Sequence, residues 1–317
     1  MLGRTASSLF WMSRYVERSE NMARLVDVGY RISLLPGVGN SSHRGDWAST
    51  LVSAGCDGGF FQRYDEISDR NVINYMIFDE TNPSSVRCCL HTARNNARSV
   101  RTAMTREMWE SLNTTWIEFS EVKPHLMTRN RLPSFLDWIK ERSMLFRGAL
   151  LGTILRNDTF YFSQLGAFIE RADNTARILD VKYHILLPQN ETVGGGIDSY
   201  QWSTILRSVS AHRSYRWIYR DSTPKPWNVA EFLILRREMP RSLTHCYGWL
   251  NDSLEGLEQL YGERAATASD IARATFDCLR GGDMNAIFAE GLHEFLSSFI
   301  NRNNMLTNAL HADYNFA

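Results

Sequence analysis

Two stretches of the chain carry the same charged and polar residues, and these side chains could bind a polar ligand. The stretches are YVERSENMARLVDV, residues Tyr15–Val28, and FIERADNTARILDV, residues Phe168–Val181. Arg and Asn side chains suit carboxylate or phosphate oxygens, and a Glu side chain can hold an amine. The repeated stretches therefore predict a ligand site or a buried polar network at these positions: Glu17, Arg18, Asn21, Arg24, Glu170, Arg171, Asn174 and Arg177.

A helical wheel places the polar residues of the first stretch on one side of a helix. Advancing by about 100° per residue gathers Glu17, Glu20, Asn21, Arg24 and Asp27 there. One interpretation is a solvated face, in which a Glu20–Arg24 pair contributes about 0.2–0.5 kcal/mol. A solvated position accepts many substitutes, however, whereas the two stretches agree at Glu, Arg, Asn, Arg and Asp.

A hydrogen-bonded network between helices explains this agreement better than a solvated face does. The planar fork of Arg grips a carboxylate with two hydrogen bonds, which Lys cannot reproduce. We therefore expect Glu17, Arg24, Glu170 and Arg177 to be buried and bonded to other helices. The expected opposing charges lie in two later stretches: Arg94, Arg98, Arg237 and Arg241. Such a network could either determine the fold or bind a ligand.

The composition argues against several classes of partner. The chain of 317 residues has 35 basic and 35 acidic residues, so no basic excess indicates nucleic acid or an anionic membrane. Its five cysteines form no CxxC pair, which is typical of a reducing compartment, and we expect the cytoplasm. No apolar run approaches the roughly 18 residues of a membrane-spanning helix.

Motifs for cofactors are also missing from the sequence. It contains no GxxxxGK[ST], GxGxxG or GxSxG string. A di-iron bundle needs two ExxH pairs and further carboxylates, but only Glu290 with His293 has that spacing. We therefore expect no metal ion and no cofactor, and we assign any use of ATP to a partner.

The elements that position the repeated stretches are predicted to be helices throughout. Most segments between helix breakers are rich in Leu, Arg, Glu, Ala and Met, with apolar residues at spacings of three and four. Asn82 before Pro83 indicates a helix start with Asn as the cap, and Pro226 indicates another start. The fold class is therefore predicted to be all-α.

Three further pairs of stretches repeat in the same order as the first pair. Trp47 matches Trp202, and the stretch that begins at Val86 matches the one that begins at Val229. The string SFLDWIKERSMLFRGAL resembles EFLSSFINRNNMLTNAL. Four matched blocks indicate an internal duplication. We predict two tandem, closely packed helical bundles related by a pseudo-twofold axis: residues 1–156 and residues 157–317.

Several long strings carry a resemblance to a known family. RTASSLFWMSRYVERSENMARLVDV, NPSSVRCCLHTARNNARSVR with the following EMWESLN, and AEFLILRREMPRSL resemble the bacterial alpha-E family. The resemblance covers nearly the whole chain and includes both Glu-Arg dipeptides of the repeated stretches. It implies two partners, a circularly permuted ATP-grasp protein and a transglutaminase-like protein, in a system that forms or processes amide bonds on peptides.

Three functions remain open at this point. The first is a subunit that docks on an ATP-grasp ligase and presents its amino acid or peptide substrate. The second is an enzyme that itself acts on an acyl or amide intermediate, and the third is a purely structural scaffold. The sequence favours the first, a non-catalytic accessory protein when isolated, because no nucleophile with an adjacent base is recognisable.

Overall fold

The structure, a computed structural model, describes residues 1–34, 40–184, 195–221, 223–262 and 265–316, without the side chains of 40–46 and 183–184. This described part is helical and contains no strand, which confirms the predicted all-α class. Its α-helices are, in chain order, α1 (Gly3–Ser33), α2 (Asn40–Ala54), α3 (Asp57–Phe60), α4 (Asp69–Ile77), α5 (Val86–Ser99), α6 (Arg106–Ser120), α7 (Leu132–Thr153), α8 (Asp158–His184), α9 (Gly196–Ser208), α10 (His212–Tyr219), α11 (Pro226–Ile234), α12 (Leu243–Tyr261), α13 (Ala266–Arg280), α14 (Met284–Glu290) and α15 (Leu292–Asp313).

Helices α1 and α8 form the centre of the molecule. Nearly every residue of α1 from Leu9 to Val28 is buried, and the same holds for α8 from Thr159 to Leu179. A helix that is buried on all sides has no solvated face, so neighbouring helices must satisfy its polar groups. The charged residues of both repeated stretches therefore lie inside the protein.

The two central helices run side by side in the same direction. Near their N-terminal ends, the carbonyl oxygen of Phe10 lies so close to Gly166 that a Cβ there would be 2.0 Å from it. One turn further along both helices, Arg14 contacts Glu170 at 2.8 Å. Residue numbers thus rise together on the two helices, and the absence of a side chain at Gly166 permits their close approach.

Helices from both halves of the chain cover the central pair. Helices α2, α5 and α7 pack against α1, and α9, α12 and α15 pack against α8. In addition, α9 packs against α1 and α2 packs against α8. The buried apolar side chains of all these helices form one continuous core. Each central helix is therefore held by elements that are distant from it in the sequence.

The structure corrects the predicted match between the stretches that begin at Val86 and at Val229. The first stretch is a single helix, α5, whereas the second spans the end of α11, a turn and the first residue of α12. The start of α12 instead resembles the start of α5. Ser85 and Ser242 are the N-caps of these helices, and each hydroxyl accepts a hydrogen bond from a backbone amide three residues later.

The predicted cap at Asn82 is also wrong, although Pro226 does begin α11 as predicted. The side-chain oxygen of Asn82 accepts a hydrogen bond from the Ser84 amide, and its side-chain nitrogen donates to the Tyr75 carbonyl. Asn82 therefore stabilises the turn before α5, as Asn side chains commonly do. The helix itself begins later, after the Ser85 cap.

We expect Gly166→Ala to destabilise the protein by about 1–3 kcal/mol, because the added methyl group would collide with the α1 backbone. The matched control is Gly148→Ala, since Gly148 is exposed on α7 and a methyl group added there would have no neighbouring atom within 4 Å. Alanine should stabilise that helix by roughly 0.5–1 kcal/mol. Urea denaturation measures both effects, and equal midpoints for Gly166→Ala and the wild type would contradict the close helix contact.

Candidate functional site

The two Glu-Arg dipeptides of the repeated stretches bind each other across the central helix pair. The guanidinium group of Arg18 donates two hydrogen bonds to the Glu170 carboxylate, with N–O distances of 2.6 and 2.8 Å. In the opposite direction, Arg171 donates two to Glu17, at 2.9 and 3.0 Å. We call these the crossed pairs. Both are bidentate and charge-assisted, which is the strongest common form of a side-chain hydrogen bond.

Further guanidinium groups surround the carboxylates of the first stretch. Glu17 and Glu20 are 1 % and 0 % exposed, and both contact Arg147 from α7 and Arg241 from the turn before α12. Glu20 also accepts two hydrogen bonds from Arg24, at 2.9 and 2.6 Å. With the crossed pair included, these two carboxylates contact four guanidinium groups.

The neighbouring arginines keep the buried carboxylates ionised. Burial raises the pKa of Glu20 and of Glu170, but the guanidinium groups outweigh burial and lower each pKa to about 2. The same balance holds the pKa of Glu17 well below its usual value. Burial and the nearby Arg24 lower the pKa of Arg241 to about 10. Charged groups of both signs are thus present in this part of the core at neutral pH.

Among the described residues, fewer guanidinium groups contact Glu170 and Asp173 than contact Glu17 and Glu20. Besides its crossed pair, Glu170 accepts a hydrogen bond from Arg14 at 2.8 Å. Asp173, which occupies the position of Glu20 in the repeat, pairs with Arg177 at 2.6 Å. Among the described residues, these two carboxylates contact three guanidinium groups.

Arg24 and Arg177 also connect the central helices to the ends of their neighbours. Arg24 donates a hydrogen bond to the carbonyl of Ser208, the last residue of α9. Arg177 donates one to the carbonyl of Ser53, near the end of α2, at 3.3 Å. The last carbonyls of a helix have no partner within the helix, so these contacts satisfy them.

One difference between the surroundings of the two stretches lies at the residue before a serine cap. Arg241 immediately precedes the serine cap of α12, and Ser84 immediately precedes the serine cap of α5. The Arg241 guanidinium fills the space beside the first pair of carboxylates. The short side chain of Ser84 leaves a space beside Glu170 and Asp173. A pocket therefore exists on one side of the central helices.

This pocket has a volume of about 200 Å³ and a mainly polar lining. Asn21 and Asn174 line the pocket, and both side-chain amide atoms of Asn174 and the side-chain oxygen of Asn21 are buried without a hydrogen-bond partner. Leaving such an atom unpaired costs about 1–3 kcal/mol, so these atoms indicate a position for a polar ligand. We call it the α1/α8 pocket, and its polar lining is Arg18, Asn21, Ser84, Glu170, Asp173, Asn174 and Arg177.

Three of the four predicted opposing charges lie outside the buried network. Arg94 donates a hydrogen bond to Asn113 at 2.8 Å, and Arg98 and Arg237 are exposed. Arg94 and Arg98 lie outside the network because α5 turns its small apolar face toward the core and its arginines away from it. Arg241 does contact the buried carboxylates.

Two arginines of the network were not identified from the sequence. Arg14 lies one turn before Arg18 on α1 and contacts the same carboxylate, so the four-residue spacing was a signal for it. Arg147 lies on α7, and nothing in its surrounding sequence indicates a partner on α1. Its role is visible only once the helices are packed.

A larger cleft, of about 1050 Å³, lies between α4 and the segment before α7. Its lining includes Tyr64, Asn74 and His125, with an ion pair between Arg129 and Asp69 at its edge. None of its lining residues belongs to the repeated stretches. The unpaired buried amides lie at the α1/α8 pocket, which is therefore the better candidate for a specific ligand site.

Other reactive groups give weaker indications of chemistry. Burial raises the pKa of the Cys89 thiol and that of Cys246, the latter to about 12, so neither is a thiolate at neutral pH. Within the described ranges, no group of three His, Cys, Asp or Glu side chains could hold a metal ion. No helix in that part of the chain is long and apolar enough to cross a membrane.

Comparison with known proteins identifies one family. The model of a family named Alpha-E, described as a predicted alpha-helical domain with a conserved ER motif, matches residues 1–314. No curated protein and no solved structure matches the chain. The match therefore covers both central helices, with the two Glu-Arg dipeptides that form the crossed pairs.

We expect Glu17→Ala to destabilise the protein by about 3–5 kcal/mol, because it leaves several buried guanidinium groups without their carboxylate. Glu110→Ala is the matched control, since Glu110 is exposed and forms a surface pair with Arg106. A surface pair is worth about 0–1 kcal/mol. Thermal and urea denaturation compare the variants, and a Glu17→Ala protein that is as stable as the wild type would contradict the buried network.

The free energy of unfolding should fall as the pH drops from about 5 to about 2. The carboxyls of Glu20 and Glu170 have pKa values of about 2 in the folded protein, below the value of about 4.3 in unfolded chains. Their contribution is therefore complete above the unfolded pKa and is lost as the pH approaches the folded pKa. Urea denaturation at several pH values measures this slope.

A variant without one of these carboxylates tests the assignment of the pH effect. Between about pH 5 and about pH 2, the free energy of unfolding of Glu20→Gln should fall less steeply than that of the wild type. Glu121→Gln, at an exposed position after α6, should keep the wild-type slope. Identical slopes for the wild type and Glu20→Gln would show that other groups cause the acid destabilisation.

Proposed function

The chain belongs to the Alpha-E family, and we propose that it is a substrate-presenting helical subunit of an ATP-grasp-type amide or peptide ligation system. In this role it binds an amino acid or a peptide and presents it to the ATP-dependent enzyme. The proposed partners are a circularly permuted ATP-grasp protein and a transglutaminase-like protein, the classes that the family resemblance implies. The cytoplasm is the proposed location.

The observation that supports a binding role is the α1/α8 pocket. It combines two carboxylates, guanidinium groups and unpaired amide atoms in a volume of about 200 Å³. Such groups match the amine and peptide groups of an amino acid or a short peptide. The crossed pairs hold the pocket walls on two rigid, buried helices, which suits a preformed binding site.

In the proposed system, the partner enzyme carries out the covalent chemistry. An ATP-grasp enzyme transfers the terminal phosphoryl group of ATP to a carboxylate and releases ADP. An amine then attacks the acyl phosphate, which forms the amide and releases phosphate. The helical chain contributes by holding one of the two substrates in position, because positioning alone lowers the barrier of a reaction between two molecules.

We also propose that the chain consists of two tandem helical bundles, residues 1–156 and residues 157–317, related by a pseudo-twofold axis. The crossed pairs support this arrangement, because each dipeptide makes the same bidentate contact with the other. The matching contacts of Arg24 with α9 and of Arg177 with α2 support it further. So do the equivalent serine caps of α5 and α12.

A reconstituted reaction tests the proposed function. Adding the purified chain to its cognate ATP-grasp protein should change the rate of amide formation, measured by ATP consumption and by product mass. Arg18→Lys should weaken this effect about tenfold, equivalent to about 1.4 kcal/mol, because the bidentate fork at the pocket is lost. Arg106→Lys, at an exposed surface pair, is the control and should retain the wild-type effect.

Two results would contradict this function. Amide formation, amide cleavage or ATP hydrolysis by the isolated chain would favour an enzyme in its own right. An unchanged rate in the presence of the chain, together with no detectable complex with the ATP-grasp protein, would favour a purely structural scaffold. Thermal denaturation of Arg18→Lys establishes that any loss of effect occurs in a folded protein.

A further inference from the structure

The α1/α8 pocket lacks one positively charged side chain that the matching space on the other side of the central helices contains. We propose that the pocket binds a guanidinium group, supplied by an arginine side chain of a peptide ligand. The proposal rests on the ligand-binding role proposed above and specifies the chemical class of the ligand.

The guanidinium group of Arg241 shows what fits such a space. It lies beside Glu17 and Glu20, with an N–O distance of 3.1 Å to Glu17. On the other side of the central helices, the residue before the serine cap is Ser84, which lines the pocket. A ligand guanidinium beside Asp173 would occupy the position that corresponds to that of Arg241.

A count of charges agrees with this placement. Glu17 and Glu20 contact four guanidinium groups, whereas Glu170 and Asp173 contact three among the described residues. A bound guanidinium would make the two counts equal. The like charges of the lining arginines do not prevent this, because Arg241 itself is buried close to Arg24 and Arg171.

The hydrogen-bonding groups of the pocket also favour a donor-rich ligand. The side-chain oxygens of Asn21 and Asn174 are buried acceptors without a donor. Asp173 adds a carboxylate whose one observed ion pair is with Arg177. A guanidinium group has five N–H donors and no acceptor, in a planar arrangement that can serve several acceptors at once. The unpaired side-chain nitrogen of Asn174 would then donate to a carbonyl of the peptide backbone.

An anionic ligand suits the pocket less well. The two nitrogens of Arg18 that contact Glu170 are already used in the crossed pair, and Arg177 donates to Asp173 and to the Ser53 carbonyl. The low pKa of Glu170, caused by its arginine partners despite burial, means that its carboxylate is ionised at neutral pH. An incoming carboxylate or phosphate would meet this charge and that of Asp173.

The pocket can be reached from the solvent. The side chains of Arg18 and Arg177, which line it, are 22 % and 28 % exposed. In contrast, the side chains of Arg241 and Arg24, at the filled space, are 8 % and 2 % exposed. A side chain of a peptide could therefore enter beside Ser84, whereas the equivalent route on the other side is closed by Arg241.

Calorimetric titration with four capped amino acids, those of arginine, citrulline, lysine and aspartate, tests the ligand class. N-acetyl-arginine amide should bind the wild-type protein at least tenfold more tightly than N-acetyl-citrulline amide, which has the same shape without the charge. N-acetyl-lysine amide should also bind more weakly, because its ammonium group cannot reach several acceptors in one plane. Equal binding of the first three, or tighter binding of N-acetyl-aspartate amide, would overturn the proposal.

A substitution that closes the pocket provides a second test. Ser84→Arg should place a guanidinium beside Asp173 and reduce binding of N-acetyl-arginine amide at least tenfold. Ser120→Arg, which adds the same charge at an exposed position at the end of α6, should retain the binding. Thermal denaturation establishes that each variant is folded. Undiminished binding to folded Ser84→Arg would overturn the proposal. If that variant does not fold, the test of the proposal is whether the wild type binds N-acetyl-arginine amide more tightly than N-acetyl-citrulline amide.

The two proposals can fail separately. Selective binding of N-acetyl-arginine amide without any effect of the chain on its ATP-grasp partner would contradict the proposed function and leave the ligand class intact. An effect on amide formation without preference for arginine over citrulline would contradict the ligand class alone. The binding titration uses the isolated chain, so it does not depend on the identity of the partner.

Discussion

The burial of ionised carboxylates between two parallel helices is the constraint on which the rest of the structure depends. Glu17, Glu20 and Glu170 are at most 4 % exposed and remain charged. Taking such a group out of water costs several kcal/mol unless a partner of opposite charge is placed beside it with good geometry. Glu17 and Glu170 find their bidentate partners on the opposite helix, in the crossed pairs. Neither central helix could therefore be buried in this way without the other.

The same constraint explains how the surrounding helices are arranged. The carboxylates of the first stretch also draw Arg147 from α7 and Arg241 from the turn before α12 into the core. Arg24 and Arg177 reach the C-terminal carbonyls of α9 and α2, which lie in different halves of the chain. Close contact at Gly166 brings the helices near enough for the forks to reach across. Elements that are distant in the sequence are thus joined through one polar network.

A buried polar network can both stabilise a fold and form a binding site, and here the stabilising role and the proposed binding role lie on different sides of the helix pair. On one side Arg241 completes the network, so those carboxylates are satisfied within the chain. On the other side Ser84 leaves a pocket with unpaired amide atoms, and the proposed peptide ligand would complete the network there. The structural and the ligand-binding interpretations of the repeated stretches are therefore compatible.

The sequence by itself determined the all-α class and drew attention to the Glu-Arg stretches, because helix periodicity and repetition are properties of local sequence. It also contained the serine caps of α5 and α12, although the match through Val229 obscured their equivalence. The crossed pairing and the contacts of Arg147 and Arg241 were decided only by the tertiary structure. An arginine reaches a carboxylate according to the direction, distance and rotation of packed helices, none of which is encoded in the spacing of one stretch. For the same reason, Arg94 and Arg98 look suitable in sequence yet face away from the core.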